Sequence, residues 1–318
     1  MKLVVITGCL GFIGSHVTEK CLSMGWKVYG IDSETYASNP ELVHHFKSKY
    51  PYDFTYVKED IVELNNLPDC DYVINTAAET HVGNSIIDSE EFLKSNINGV
   101  QNLLDLIKNK PSNVFKRPIL FHFSTDEVYG DIIDGEHTES DHLNPSNPYS
   151  ASKAAADMLI KAWARTYGIE YIIFRPTNNY GEYQYPEKLI PLSVKALMRD
   201  TKIRLHDEGK PIRNWLHAED TANAVISIIN SGKTNEIYNV AGGFEQENRE
   251  TVKQIIKAYH GTDENWLQYV DLGYKRLGQD VRYALNDDKL RSLGWKPEKT
   301  LNEEIPKMVQ FYRNNFKW

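Results

Sequence analysis

The sequence predicts a doubly wound α/β fold, a parallel sheet covered by helices on both faces, with a smaller C-terminal lobe. Three observations carry this. Short β-rich runs alternate with helical stretches through the first half. Those runs are apolar without period-two alternation, as strands buried on both faces require. A glycine-rich turn, TGCLGFIG at 7–14, joins the first such run to the first helical stretch.

Taken in order, the strands are expected at 2–7, 27–31, 54–59, 71–76, 119–124 and 171–175, with helices at 12–24, 91–109 and 151–167. After Arg175 the pattern loosens into Pro, Asn and Tyr, with one helix near 187–199. A helix–strand pair follows, AEDTANAVISIIN and then EIYNVAG, and charged helices and loops close the chain, the last near 302–314. This divides the chain into a sheet domain, 1–175 and 212–240, and a smaller lobe, 176–211 and 241–318.

Composition excludes several classes. The chain has 318 residues, 41% of them hydrophobic, enough for a sizeable core and suited to one large domain or two intimate ones. Its net charge is −8 and it has no long basic run, which argues against nucleic acid or a membrane surface as partner. It opens on a strand-like run rather than a signal-peptide pattern, and no apolar run approaches the ~20 residues of a membrane span. Its three cysteines, Cys9, Cys21 and Cys70, lack metal-ligand spacing. They fit free thiols in a reducing, cytoplasmic compartment, with no metal expected.

The glycine turn reads as a dinucleotide site. Gly8 permits a tight turn, Gly11 lets backbone approach a pyrophosphate, and Gly14 lets helix and strand pack closely. Phe12 and Ile13 complete the turn. Asp32 ends the second strand, where an acid can bind both ribose hydroxyls and would repel a 2′-phosphate, so NAD is expected over NADP. Asp60 and Ile61 follow the third strand and suit an adenine contact. Ala77 and Ala78, after the fourth strand, are small enough for a cofactor to lie across the sheet edge.

Tyr149 and Lys153 stand four apart at the start of a helix and so share a face. A nearby ammonium favours phenolate, so the spacing predicts a lowered tyrosine pKa and a base for a substrate hydroxyl. Thr125, after the fifth strand, is placed to hydrogen-bond the same oxygen. Two acids, Asp126 and Glu127, follow directly. Mutual repulsion and burial would push their pKa values apart, giving one acid and one base.

On these residues the chain resembles the extended short-chain dehydrogenase/reductases, and within them the nucleotide-sugar 4,6-dehydratases acting on dTDP-glucose or UDP-glucose. The narrow markers are TDEVYGD (125–131), AAETHV (77–82), NPYSASKAAAD (147–157), NNYGEYQYPEKLIP (178–191), IRNWLHAED (212–220) and GQDVRYALNDDKLRSLGWKP (278–297). The resemblance implies that a bound NAD oxidises C4 with Tyr149 as base. It further implies that Glu127 removes the C5 proton, Asp126 protonates the departing C6 hydroxyl, and the hydride returns to C6. The product is then a nucleotide-linked 4-keto-6-deoxyglucose, at the start of a rhamnose-type pathway. Asn179, Lys188 and Leu189 are implied to meet the diphosphate and base, and Arg213, Asn214 and Arg282 to join them. A homodimer built on the helices at 91–109 and 151–167 is implied too. Leu103, Leu104, Leu106, Ile107, Met158, Leu159, Ile160 and Trp163 on these helices look more apolar than one buried stripe requires.

The chain departs from the pattern at Cys9–Leu10, at Gly83–Asn84 where Asp-Arg is common, and at 205–210, LHDEGK, where a G-D-G loop is usual. Its length sits nearer the UDP-glucose enzymes. A 4-epimerase, a UDP-glucuronate decarboxylase and a non-catalytic NAD-binding regulator are the alternatives. The first two would not need the Asp126–Glu127 pair, and the regulator predicts a broken catalytic set, whereas Thr125, Asp126, Glu127, Tyr149 and Lys153 are all present.

Overall fold

The computed structural model describes residues 1–110, 116–275, 277–278 and 280–315; Gln279 of the GQDVRY motif and the last three residues lie outside it. The first half lays down β1 (Leu3–Thr7), α1 (Phe12–Ser23), β2 (Lys27–Asp32), α2 (Glu41–Lys49), β3 (Phe54–Lys58) and β4 (Tyr72–Asn75). It continues with α3 (Val82–Ile87), α4 (Glu90–Leu93), α5 (Gly99–Lys108), β5 (Ile119–Phe123), α6 (Pro148–Tyr167) and β6 (Tyr171–Pro176). The second half adds β7 (Asn178–Tyr180), α7 (Leu189–Met198), β8 (Ile203–His206), β9 (Ile212–His217), α8 (Ala218–Ser231) and β10 (Glu236–Val240). Then come β11 (Glu245–Glu247), α9 (Asn248–His260), β12 (Val270–Tyr274), α10 (Asp288–Arg291) and α11 (Leu301–Asn314).

Seven parallel strands form the main sheet in the order β10-β6-β5-β4-β1-β2-β3. Strand order reverses between β1 and β4, so a crevice opens beyond their carboxyl ends. Strands such as β5, buried at every position, need cover on both sides. One face packs under α1, α2 and α8 through Val17, Cys21, Phe46, Val225 and Ile229. The other packs under α5 and α6 through Leu103, Leu104, Ile107 and Ile160. A third core joins α7, α9 and α11 through Val194, Ile255, Ile256 and Met308. Each such side chain, fully buried, contributes about 1.5–3 kcal/mol.

Three differences from the sequence expectation have physical causes. Residues 212–217 form β9, which pairs with β7 and β11 rather than with the main sheet; the chain returns to that sheet through α8 and β10. The helix expected over 91–109 is broken by a π-helical turn, Lys94–Asn98. That wider turn carries the fully buried Asn96, whose amide bonds both backbone groups of Glu79 and the Ser152 hydroxyl of α6. Finally, α2 arises from a short amphipathic stretch whose two buried residues, Leu42 and Phe46, stand four apart and so share the core-facing side.

Candidate active site

The glycine turn folds as its spacing requires. Gly8 adopts φ +71°, and a Cβ there would lie 2.7 Å from the Ala77 nitrogen. A Cβ on Gly14 would lie 2.0 Å from the Gly8 carbonyl oxygen, so α1 can approach β1 only without one. Gly11 is the N-cap of α1 and offers no side-chain cap, and the first turn carries no acid. The amides of that turn therefore face the crevice free to bind an anion. This cradle, with an acid at the tip of β2, fits a dinucleotide diphosphate and ribose. Asp32 is nearly buried and already organises its surroundings. Its Oδ2 accepts from the Leu10 amide at 2.9 Å, and its Oδ1 from the Glu34 amide at 2.8 Å and the Ser38 hydroxyl at 2.7 Å.

One continuous cleft runs from this turn to the end of β5. Gly8, Gly11, Phe12, Ile13, Gly14, Asp32, Asp60, Ile61, Ala77 and Ala78 line one end, and Thr125, Asp126, Glu127 and Tyr149 the other. Asn179 and Lys188 close it from the smaller lobe. Sequence reasoning missed Thr35, Ser38, Gln184, Tyr185 and Glu187, which also line it. All five lie on loops, where no periodicity marks them, although Gln184, Tyr185 and Glu187 fall within the NNYGEYQYPEKLIP motif, which could have pointed to them.

The carboxyl pair owes its geometry to the way β5 ends. The Ser124 amide donates to the Phe174 carbonyl at 2.7 Å, after which the chain turns into a single 3-10 turn, Asp126–Tyr129. Thr125 caps that turn, its hydroxyl accepting from the Glu127 amide at 3.3 Å and donating to Asp126 Oδ1 at 3.1 Å. Consecutive residues of so tight a turn point apart. Asp126 is 3% exposed and its Oδ2 is buried without a hydrogen-bond partner. Burial, then the charge of Glu127, push its pKa up to about 7. Glu127 stays half-buried, and its Oε2 is met by the Asn147 amide at 3.3 Å and the Tyr283 hydroxyl at 3.4 Å.

Tyr149 occupies the second position of α6, whose N-terminus is fixed by an Asn147–Ser150 capping box. Its ring packs edge-on against Phe92 and its amide donates to the Ser85 hydroxyl at 3.2 Å. The lowered phenol pKa expected from Lys153 is not found. Burial, then the charges of Glu127 and Asp126, raise it, and only the Thr125 hydroxyl opposes them. Lys153 is buried one turn further on. Burial brings its own pKa down to about 8, against the pull of Asp157.

Four residues expected at the substrate do not line the cleft. Leu189 opens α7 and packs with the small-lobe core. The Arg213 guanidinium donates to the Ile212 and Asp280 carbonyls and lies over the Tyr283 ring at 4.7 Å, though its charge reaches Asp126. Asn214 is buried, accepting from the Thr177 hydroxyl and the Gly242 amide. Arg282 forms a two-point ion pair with Glu245 at 2.9 and 3.2 Å and donates to the carbonyls of Ile133 and Gly135.

A sheet whose switch point is built for a diphosphate, opening onto a phenol and two carboxyls, is the design of a short-chain dehydrogenase/reductase. The GDP-mannose 4,6 dehydratase family matches residues 5–308. A dTDP-glucose 4,6-dehydratase of Neisseria meningitidis serogroup B is 38% identical, over 100% of this chain and 95% of its own. A trifunctional UDP-glucose 4,6-dehydratase of Arabidopsis thaliana is 37% identical over 100% of this chain and 48% of its own. The crystal structure of DesIV, the dTDP-glucose 4,6-dehydratase of Streptomyces venezuelae, with NAD and TYD bound, superposes with a TM-score of 0.91 at 35% identity. It covers 99% of this chain and 98% of that one. The chain belongs to the nucleotide-sugar 4,6-dehydratases of the extended short-chain dehydrogenase/reductase family, which are NAD-dependent hydro-lyases.

Proposed function

We propose that this protein converts a pyrimidine nucleoside diphosphate glucose into the corresponding 4-keto-6-deoxyglucose nucleotide and water. The observation that carries the reading is the Thr125–Asp126–Glu127 turn, which sets two carboxyls of unlike environment beside Tyr149 in one cleft. NAD, when bound, would supply a hydride acceptor for C4, a hydride donor for C6 and a positive ring beside the phenol. Gly8, Gly11, Phe12, Ile13, Gly14, Asp32, Asp60, Ile61, Ala77 and Ala78 would hold it.

In this reading Tyr149 takes the proton of the sugar's 4-hydroxyl, and Thr125 hydrogen-bonds the same oxygen. The resulting 4-ketone acidifies the C5 proton. Glu127 removes it, and the electron pair of the C5–H bond becomes the C5–C6 double bond as the C6–O bond breaks. Asp126, still protonated near neutral pH, gives its proton to the departing hydroxyl, which leaves as water. Glu127 then returns a proton to C5. Lys153 lies buried one turn further along α6. Lys188 and Asn179 face the diphosphate side of the cleft, and Arg213, Asn214 and Arg282 brace the wall behind it.

Relatives acting on dTDP-glucose and on UDP-glucose both match this chain. The two bases differ by one methyl, worth only about 1–3 kcal/mol in a pocket. The test is to incubate the protein with each nucleotide and look for the alkali-induced absorbance of a 4-keto sugar, comparing kcat/KM. A galactose nucleotide as product would make it a 4-epimerase, and no turnover of either substrate would overturn the reading.

A further inference from the structure

The loop between β7 and α7, residues 181–188, is rooted in the smaller lobe. The Tyr312 hydroxyl of α11 donates to the Gly181 carbonyl at 2.7 Å and accepts from the Gln184 amide at 2.9 Å. Tyr183, between them, adopts φ +65°, a conformation that a side chain holds only where its surroundings fix it. Its ring packs edge-on against Phe311 of the same helix at 5.3 Å.

From that root the loop is fastened to the sheet domain at segments on different sides of the glycine turn. His16, one helical turn beyond Phe12 in α1, meets the Glu182 carbonyl through Nε2 at 3.1 Å. A carbonyl only accepts, so that nitrogen carries the proton. Tyr36, on the loop after β2, donates to Glu187 Oε2 at 3.2 Å and sets its ring edge-on to Tyr185 at 5.1 Å. Lys188 Nζ donates to the Thr80 carbonyl, beyond β4, at 3.0 Å.

The fastened segments are the ones that shape the dinucleotide end of the cleft. Phe12 opens α1, and Ser38, two residues past Tyr36, donates to Asp32. Thr35 and Ser38 line the cleft from one side of the span, and Tyr185 and Glu187 from the other. His16 and Tyr36 are not part of the cleft wall, and Tyr36 is 45% exposed. Whatever these two side chains do for a ligand in the cleft, they do through the loop.

We propose that residues 181–188 form a strap across the bound dinucleotide, and that Tyr36 and His16 are positioning residues that keep it shut, so that the cofactor leaves only after their contacts break. This rests on the reading of the glycine turn and Asp32 as the dinucleotide's seat. A reaction that returns its hydride in every cycle has no need to release the cofactor, whereas the sugar nucleotide must come and go.

The test uses the full chain loaded with labelled NAD and follows release of the label into excess unlabelled NAD. Tyr36→Phe removes the bond to Glu187 and keeps the ring contact with Tyr185; Tyr36→Ala removes both. Release is expected to quicken on the order of tenfold in Tyr36→Ala and by less in Tyr36→Phe, with Tm little changed. Activity of Tyr36→Ala should fall on dilution and return when NAD is added. Release at the wild-type rate in Tyr36→Ala would overturn the proposal, and so would a loss of activity that added NAD does not restore. Gly14→Ala separates the two levels. If it also releases NAD at the wild-type rate, the seat is misplaced and the strap falls with it. If it loses NAD while both Tyr36 variants retain it as the wild type does, only the strap fails.

Discussion

At the scale of single residues, the site depends on two neighbouring carboxyls being made unlike. Glu127→Gln leaves Tyr149, Lys153 and the cofactor cradle untouched, so C4 oxidation is expected to proceed while water loss slows by about 10²–10⁴. The near-ultraviolet absorbance of reduced nicotinamide should persist on the enzyme, with little 4-keto-6-deoxy product. Tyr149→Phe should suppress that absorbance itself. Equal loss of the signal in both variants would refute the division of labour. Asp126 carries a pH dependence of its own. Burial lifts it from the usual 3.8 to about 7, a penalty on the folded state on the order of 4 kcal/mol once the carboxyl ionises. Folding holds the proton more tightly than the unfolded chain does. The penalty is therefore absent below the ordinary carboxyl pKa, grows as pH rises, and is complete above about 7. Asp126→Asn should raise Tm at pH 8, lose that gain near pH 4, and remove most dehydration. In the wild type, dehydration should fall as pH rises through about 7, since a proton donor is lost.

At the scale of elements, the first β–α unit is the least tolerant part of the sheet domain. A Cβ on Gly14 would lie 2.0 Å from the Gly8 carbonyl and 2.6 Å from the Thr76 hydroxyl. Gly14→Ala must push α1 off β1, so we expect destabilisation of about 1–3 kcal/mol or more together with loss of co-purifying cofactor. Gly25 offers the contrast. It has φ +73° at the end of α1, with nothing within 4 Å of a Cβ, so Gly25→Ala should cost only the left-handed strain, about 1–2 kcal/mol, and retain cofactor. Thermal melts and the absorbance of the purified protein check both. The π-helical turn before α5 does comparable work on the opposite side, because Asn96 ties the cleft-lining Glu79 to α6.

At the scale of the whole molecule, α5 and α6 cover one face of the sheet and leave an apolar remainder outward. Leu103, Leu104, Ile107 and Ile160 are spent in the core. Leu106, Leu159 and Trp163 are partly covered, and Met158 is 57% exposed. We propose that a second copy covers this face by two-fold symmetry, the commonest closed arrangement. Light scattering at micromolar protein should give a dimer, and Met158→Glu should shift it towards monomer with the fold intact. A wild-type monomer at that concentration would refute the proposal. No helix among the described residues is long and apolar enough to cross a membrane.

The sequence by itself determined what is local. Glycine spacing, an acid at the end of a strand, and a Tyr–Lys pair one helical turn apart are consequences of backbone geometry over a few residues. They were legible at Gly8, Gly14, Asp32, Tyr149 and Lys153 before any fold was known. The parallel sheet was legible too, because strands buried on both faces cannot alternate in polarity. Tertiary structure alone decided what depends on burial and on distant partners. It raised the Tyr149 phenol where the spacing predicted a lowering, since the charges of Glu127 and Asp126 and the loss of water act across the fold. It bound Arg282 to Glu245, 37 residues earlier, instead of leaving it on the cleft. It also brought Tyr283 to Glu127 across 156 residues of chain. Motif spacing carries no information about such contacts, because electrostatics and desolvation follow distance in space and not separation along the sequence.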